Sequence, residues 1–151
     1  MKISEKLNNF KFKVDEDKFI NSEELKGQNL IIYFYPKDDT PGCTVEAIDF
    51  SKTKNKFSKL NTKILGVSKD SADKHRKFIT KHSLTIDLIS DDGPICEKFG
   101  VWVEKSMYGK KYMGIQRSTF LINTEQKIQH IWNKVKVPGH AEEVLEVVKK
   151  L

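Results

Sequence analysis

The sequence predicts an α/β fold, a central mixed β-sheet flanked by helices, with a β-hairpin at its N-terminus. Three observations predict it. Apolar runs rich in β-formers, Leu30–Tyr35, Ile64–Ser68 and Ile86–Ser90, alternate with longer stretches whose apolar residues recur at helical spacing. That βαβαβ order calls for parallel strands joined by helical crossovers. Near each end of the chain, two short runs are separated only by a polar turn, the pattern of an antiparallel hairpin.

Each element has its own local reason. Phe10-Lys11-Phe12-Lys13-Val14 alternates with period two, Asp15-Glu16-Asp17 turns, and Lys18-Phe19-Ile20 returns as a half-buried hairpin. Asn21 to Gly27 reads as a short helical turn, with Ser22 as cap and Gly27 as stop. Leu30–Tyr35 is apolar on both faces, which places it in the middle of the sheet. A helix follows from Pro41 or Cys43 to Leu60. Thr40 is its N-cap and Pro41 its first residue, and Ala47, Phe50, Phe57 and Leu60 fall on one face. Asp70 or Ser71 caps a second helix to about His82, with Ala72, Phe78 and Ile79 inward.

Asp91-Asp92-Gly93-Pro94 is a turn, and Ile95–Phe99 a short helix stopped by Gly100. Val101 to Gln116, with Gly109, Gly114 and mixed charge, reads as a long loop holding at most one short strand. Arg117–Ile122 and Lys127–Trp132 flank the turn Asn123–Gln126 as a second hairpin. Ala141, Val144, Leu145, Val148 and Leu151 mark the docked face of a final helix.

The whole chain narrows the function classes. Its 151 residues suit one domain over 1–151, and 38% hydrophobic content with nine phenylalanines is enough to fill a core. No apolar run approaches the roughly 20 residues of a membrane span, and Met1-Lys2-Ile3-Ser4-Glu5-Lys6 has no apolar signal region. Two cysteines do not build a secreted disulfide scaffold, so the expected compartment is the reducing cytoplasm. The net charge is +6, but of 27 basic residues only Arg76 and Arg117 are arginines. Scattered lysine without the arginine fork argues for solubility and against a nucleic-acid partner. No repeat, linker or coiled-coil pattern is visible, and a monomer is expected.

The chemistry falls on Tyr33–Ala47. A strand ends at Pro36, and Thr40-Pro41-Gly42 leads to Cys43 in the first turn of a helix. Unpaired N–H groups and the helix dipole favour an anion there, which lowers a thiol's pKa. A thiol of pKa near 8.5 is only ~3% ionised at pH 7, whereas one shifted to about 6 is ~90% ionised. The alternative is a buried structural cysteine, but Cys43 follows a turn rather than sitting in an apolar stripe. Asp38 and Asp39 read as a solvated turn. His75 and His82 read as solvent-facing residues of one helix, and His130 and His140 show no metal-ligand spacing with the cysteines. Gly109-Lys110-Lys111 lacks the rest of a phosphate loop, so neither metal nor cofactor is expected.

Pro36-x-x-x-Thr40-x-x-Cys43 resembles the active-site pattern of peroxiredoxins. The longer string Tyr33–Thr44, together with Ala47–Phe50, Phe99–Trp102 and Arg117–Ile122, is similar to the Q-type subgroup, also called bacterioferritin comigratory proteins. The segment Leu7-Asn8-Asn9-Phe10 departs from that subgroup's usual Ala-Pro-Asp-Phe. The resemblance implies a thioredoxin-like fold and reduction of hydroperoxides by a cysteine. By it, Cys43 is the peroxidatic thiolate and becomes a sulfenic acid. Thr40 holds the peroxide, Arg117 places a permanent positive charge beside the thiolate, and Pro36 fixes the turn and shields the thiolate from water. Glu46 either orients Arg117 or is a surface carboxylate.

Many Q-type members carry a resolving cysteine five residues after the peroxidatic one, where this chain has Ile48. Cys96 remains as an internal candidate. It is either a resolving cysteine, needing Cα atoms within about 7 Å, or a small apolar residue packing its helix. Without it, an outside thiol such as thioredoxin, glutaredoxin or a small thiol completes the cycle. A dithiol-disulfide reductase of the same fold needs a Cys-x-x-Cys pair, and Thr40 stands where the first cysteine would be. A lysine-rich binding protein with an incidental cysteine is the third reading.

Overall fold

A computed structural model describes every residue except Asn8, so that part of the divergent Leu7–Phe10 segment lies outside the described residues. The chain runs β1 (Lys11–Asp15), β2 (Lys18–Asn21), a 3-10 turn (Ser22–Leu25), β3 (Asn29–Phe34), α1 (Pro41–Lys59), β4 (Thr62–Ser68), α2 (Ala72–His82) and β5 (Asp87–Ser90). It continues with α3 (Pro94–Lys98), β6 (Trp102–Met107), β7 (Lys110–Ile115), β8 (Ser118–Ile122), β9 (Ile128–Trp132) and α4 (His140–Lys149). Among the described residues, seven strands form one mixed sheet in the order β2-β1-β5-β4-β3-β8-β9, and β6 and β7 pair separately.

β3 lies in the middle because its run is apolar on both faces. It pairs in parallel with β4 (Ile32 beside Leu65) and antiparallel with β8 (Ile32 beside Phe120). Successive side chains point to opposite faces, so one strand feeds two cores. Ile31, Tyr33 and Tyr35 join Phe50, Phe57, Phe78 and Val144. Leu30, Ile32 and Phe34 join Phe12, Phe99 and Phe120. Helices α1, α2 and α4 therefore cover the first face, and α3 with the 3-10 turn covers the second. Cys43 belongs to the first core and Cys96 to the second.

Three expectations need correction. The segment Val101–Gln116 is not a loop but a two-stranded ribbon, with Lys105 beside Tyr112. Its turn residues Tyr108 and Gly109 both take positive φ (52° and 79°), the mirror-image turn that matches strand twist. Most of the ribbon is exposed, so it lacks the apolar alternation that reveals a half-buried strand. The 3-10 turn is capped by Asn21, whose side chain accepts from Glu23 N; Ser22 Oγ instead accepts from Phe10 N at 2.9 Å. Leu151 lies beyond α4 and is exposed, while Ala141, Val144, Leu145 and Val148 dock as expected.

Candidate active site

Helix α1 starts where proline allows it. Thr40 is the N-cap in extended conformation, and Pro41 occupies the first helical position. The first helical donor is Thr44 N, which bonds Thr40 O at 2.8 Å. The Thr40 side chain makes no cap bond and donates to Lys37 O at 3.0 Å. The N–H groups of Gly42 and Cys43, one turn too early for an intrahelical partner, thus remain as donors at the helix mouth. The Thr40 hydroxyl, which donates to Lys37 O, keeps its lone pairs to accept a hydrogen bond from a bound molecule.

Arg117 precedes β8 by one residue and is carried to α1 because β8 pairs with β3. Its backbone carbonyl accepts from Val135 N at 3.0 Å, which fixes the residue from the other side. The guanidinium forks: Nη2 donates to Cys43 Sγ at 3.3 Å and Nη1 to Glu46 Oε1 at 2.6 Å. Gly42 makes room, since a Cβ there would lie 3.3 Å from Nη2. Glu46 sits three residues after Cys43 on the same helix face and is 1% exposed, so it is a buried partner of Arg117 and not a surface carboxylate. Burial lifts its pKa to about 7 against the opposing pull of Arg117. Burial lowers the Arg117 pKa, but Glu46 and Cys43 more than offset it, and the net shift is upward. Glu46 Oε2 and the Tyr33 hydroxyl are buried with no hydrogen-bond partner among the described residues. A donor fork fixed by a carboxylate and aimed at sulfur complements negative charge on that sulfur and on an oxygen reacting with it.

A second network holds the turn that carries Thr40, and here two expectations fail. Asp38 is not solvated and His75 does not face water. Tyr35 Oη donates to Asp38 Oδ1 at 2.6 Å, and Asp38 Oδ2 lies 2.6 Å from His75 Nδ1. His75 Nε2 reaches Ile89 O at 3.1 Å, and Asp38 N donates to Asp70 Oδ2 at 2.9 Å. The turn is thereby tied to α2 and β5. Spacing could have found His75, because it falls on the Ala72–Phe78 stripe of α2. Asp39 instead pairs at the surface with Lys81 and His82.

The other candidates are spread out. Pro36 is exposed directly after buried Tyr35, where its fixed φ restrains the turn. Cys96 is packed in the opposite core, and its backbone N donates to Asp91 Oδ2 at 2.8 Å. Burial pushes its thiol pKa far up, and hydrogen bonding and charge from Asp91 add to that. Both cysteines are free thiols. His140, missed by spacing, is buried behind the site with Nε2 2.7 Å from Thr119 Oγ1, and burial lowers its pKa to about 4. Among the described residues no group of three or more His, Cys, Asp or Glu could hold a metal ion. No described helix is long and apolar enough to cross a membrane.

With one thiol where a dithiol exchanger needs two, and an arginine directed at it, the class that fold and site define is the thiol peroxidase of thioredoxin-like fold. Comparison with known proteins gives the family. Residues 3–131 match the AhpC/TSA family. Peroxiredoxin Bcp of Bacillus subtilis is 43% identical over 100% of this chain and 97% of its own length. Peroxiredoxin Bcp of Xanthomonas campestris is 50% identical over 82% of this chain and 78% of its own. Among solved structures, a mutant of PrxQ from Xylella fastidiosa superposes with a TM-score of 0.94 at 41% identity, covering 99% of this chain and 96% of that one. The bacterioferritin comigratory protein of Xanthomonas campestris, whose structures address its alkyl peroxide reduction activity, gives 0.91 at 43% identity, covering 94% and 90%. The chain belongs to the AhpC/TSA family and, within it, to the Q-type peroxiredoxins.

Proposed function

We propose that Cys43 is the peroxidatic cysteine and that this enzyme reduces hydrogen peroxide and organic hydroperoxides in antioxidant defence. The Cys43 thiolate attacks one peroxide oxygen, the S–O bond forms as the O–O bond breaks, and the electron pair leaves on the second oxygen. That oxygen takes a proton and departs as water or alcohol, and Cys43 is left as a sulfenic acid. The observation that carries this reading is Arg117 Nη2 at 3.3 Å from Cys43 Sγ, with Nη1 held by Glu46. Arg117 and the N–H groups of Gly42 and Cys43 stabilise the charge that moves onto the peroxide. The Thr40 hydroxyl accepts from the peroxide O–H, and Pro36 restrains the turn and limits water at the thiolate.

An outside thiol, thioredoxin or another, then reduces the sulfenic acid. The support is the side chain of Ile48 at the fifth position after Cys43 and the packing of Cys96 in the opposite core. Residues 1–151 act as one domain, as a monomer, in the cytoplasm. The test is incubation of the reduced protein with one equivalent of hydroperoxide and a sulfenic-acid trap. An adduct on Cys43, absent in Cys43→Ser together with peroxide consumption, is expected. Unchanged peroxide consumption in Cys43→Ser removes the reading.

A further inference from the structure

The ribbon of β6 and β7 presents two unlike faces. Directly opposed residues share a face, so Val103, Lys105 and Met107 stand with Gly114, Tyr112 and Lys110. On the other side Trp102 packs at the core beside buried Ile115, and Glu104 pairs with Lys111. The ribbon adjoins the active site, because β7 ends at Ile115, two residues before Arg117, and the charges of Arg117 and Cys43 both act on Lys105 of the first face. Its stem runs across the ribbon, with Cδ 3.2 Å from where a Cβ on Gly114 would be.

This face combines exposed apolar groups with unpaired positive charge. Met107 is 57% exposed and Tyr112 44%. Neither Lys105 nor Lys110 has a carboxylate partner among the described residues, whereas Lys111 on the other face does. Each strand of six residues spans about 20 Å, which is protein-sized rather than peroxide-sized. We propose that the Lys105, Met107, Lys110 and Tyr112 face of this ribbon docks the protein dithiol that reduces Cys43. The partner is of thioredoxin type, apolar around its thiol and acidic at its rim. This rests on the reading that an outside thiol completes the cycle.

The chemistry balances. One partner thiolate attacks the sulfenic sulfur of Cys43, an S–S bond forms, and hydroxide leaves and is protonated to water. The second partner thiol then attacks the partner's own sulfur in that mixed disulfide and releases the Cys43 thiolate. The partner departs oxidised, having supplied the two electrons that the peroxide took.

Peroxide turnover is measured with thioredoxin kept reduced by its reductase and NADPH, and in parallel with dithiothreitol. Tyr112→Ser should lower kcat/KM for thioredoxin by about tenfold, the scale of an interface aromatic, with dithiothreitol-driven turnover unchanged. Lys110→Glu, at an exposed position, should lower it too and flatten its decline with added salt. Both variants retaining wild-type kinetics with thioredoxin overturns the proposal. So does an equal loss with both reductants, which assigns the ribbon to the peroxide step. A wild-type dimer in sedimentation that Tyr112→Ser dissolves overturns it in favour of a second copy as occupant. Wild-type turnover with dithiothreitol but with neither thioredoxin nor glutaredoxin overturns the protein partner altogether. A Cys43–Cys96 disulfide whose removal in Cys96→Ser stops turnover overturns only the one-cysteine reading, and the thioredoxin comparison can still be read.

Discussion

Cys43 and Cys96 are equally hidden, at 1% and 0% exposure, yet they face groups of opposite charge. Cys43 stands in the first turn of a long helix with the Arg117 guanidinium 3.3 Å away. Cys96 stands in a five-residue helix whose first N–H groups are capped by a carboxylate, Asp91, through Ile95 N and Cys96 N. Both sites contain a carboxylate. At Cys43 it is displaced by one link, so that Glu46 holds the arginine and the arginine faces sulfur. At Cys96 the arginine is missing and the carboxylate faces the thiol itself. Burial is common to both thiols; what differs between them is the sign of the charge nearby.

The comparison breaks most sharply if the two cysteines can exchange roles. Cys43→Ser should abolish peroxide consumption, and Cys96→Ser should leave the first turnover intact, read as peroxide lost per equivalent of protein. Peroxide consumption surviving in Cys43→Ser and lost in Cys96→Ser would reverse the assignment. Next in size is the arginine. Arg117→Ala should slow oxidation of Cys43 by hydroperoxide by about 10²–10³-fold, the typical cost of losing a charged donor at a reacting oxygen. Arg117→Lys should recover only part of it, because an ammonium cannot bond Glu46 and Cys43 with one rigid fork. Stopped-flow fluorescence, with Trp132 and Trp102 as reporters, gives the rates.

The sequence told these regions apart unevenly. β3, α1 and the Thr40-Pro41-Gly42-Cys43 entry were legible because local rules, an apolar run, a proline at the first helical position and a thiol after it, all agree. Arg117 was legible only through family resemblance, since 74 residues separate it from Cys43 and no periodicity spans that distance. The side of the sheet to which Cys96 belongs was not legible. It follows from the alternation of β3 and the crossing of α3 to the opposite face, which are properties of topology. The β6–β7 ribbon was missed for a different reason: exposed on most of its length, it carries no burial pattern to read, although Tyr108-Gly109 between two β-forming stretches was the available signal.

Smaller effects sharpen the comparison from the Cys96 side. Asp91→Asn keeps one side-chain acceptor for the α3 cap but removes the charge beside the thiol. The loss of a charge-assisted bond should cost about 1–2 kcal/mol of stability in a urea titration of the Cys43→Ser protein. Cys96 should at the same time ionise at a lower pH in that variant, followed by thiolate absorbance. An unchanged thiol titration would show that burial by itself holds Cys96 protonated.

The smallest expected effect lies at Glu46. Glu46→Gln retains an acceptor for Arg117, so peroxide reduction should fall only severalfold, far less than in Arg117→Ala. Stability against pH is the sharper readout. Burial raises the folded pKa of Glu46 to about 7 from 4.5, and Arg117 opposes the rise. The folded state therefore holds that proton more tightly, and the stabilisation is fully present below pH 4.5 and lost as pH rises through about 7. His140 acts with the opposite sign: burial lowers its pKa to about 4 from 6.5, so its contribution is present above pH 6.5 and lost as pH falls through about 4. Wild-type stability should thus change little where the two windows overlap, from pH 4.5 to pH 6.5, because the slopes oppose. Glu46→Gln should remove one slope and leave the acid loss from His140 exposed, seen as a steeper fall in urea midpoint from pH 6.5 to pH 4.5. Identical slopes in the two proteins would mean that Glu46 stays ionised across that range, bound to Arg117 strongly enough to cancel its burial.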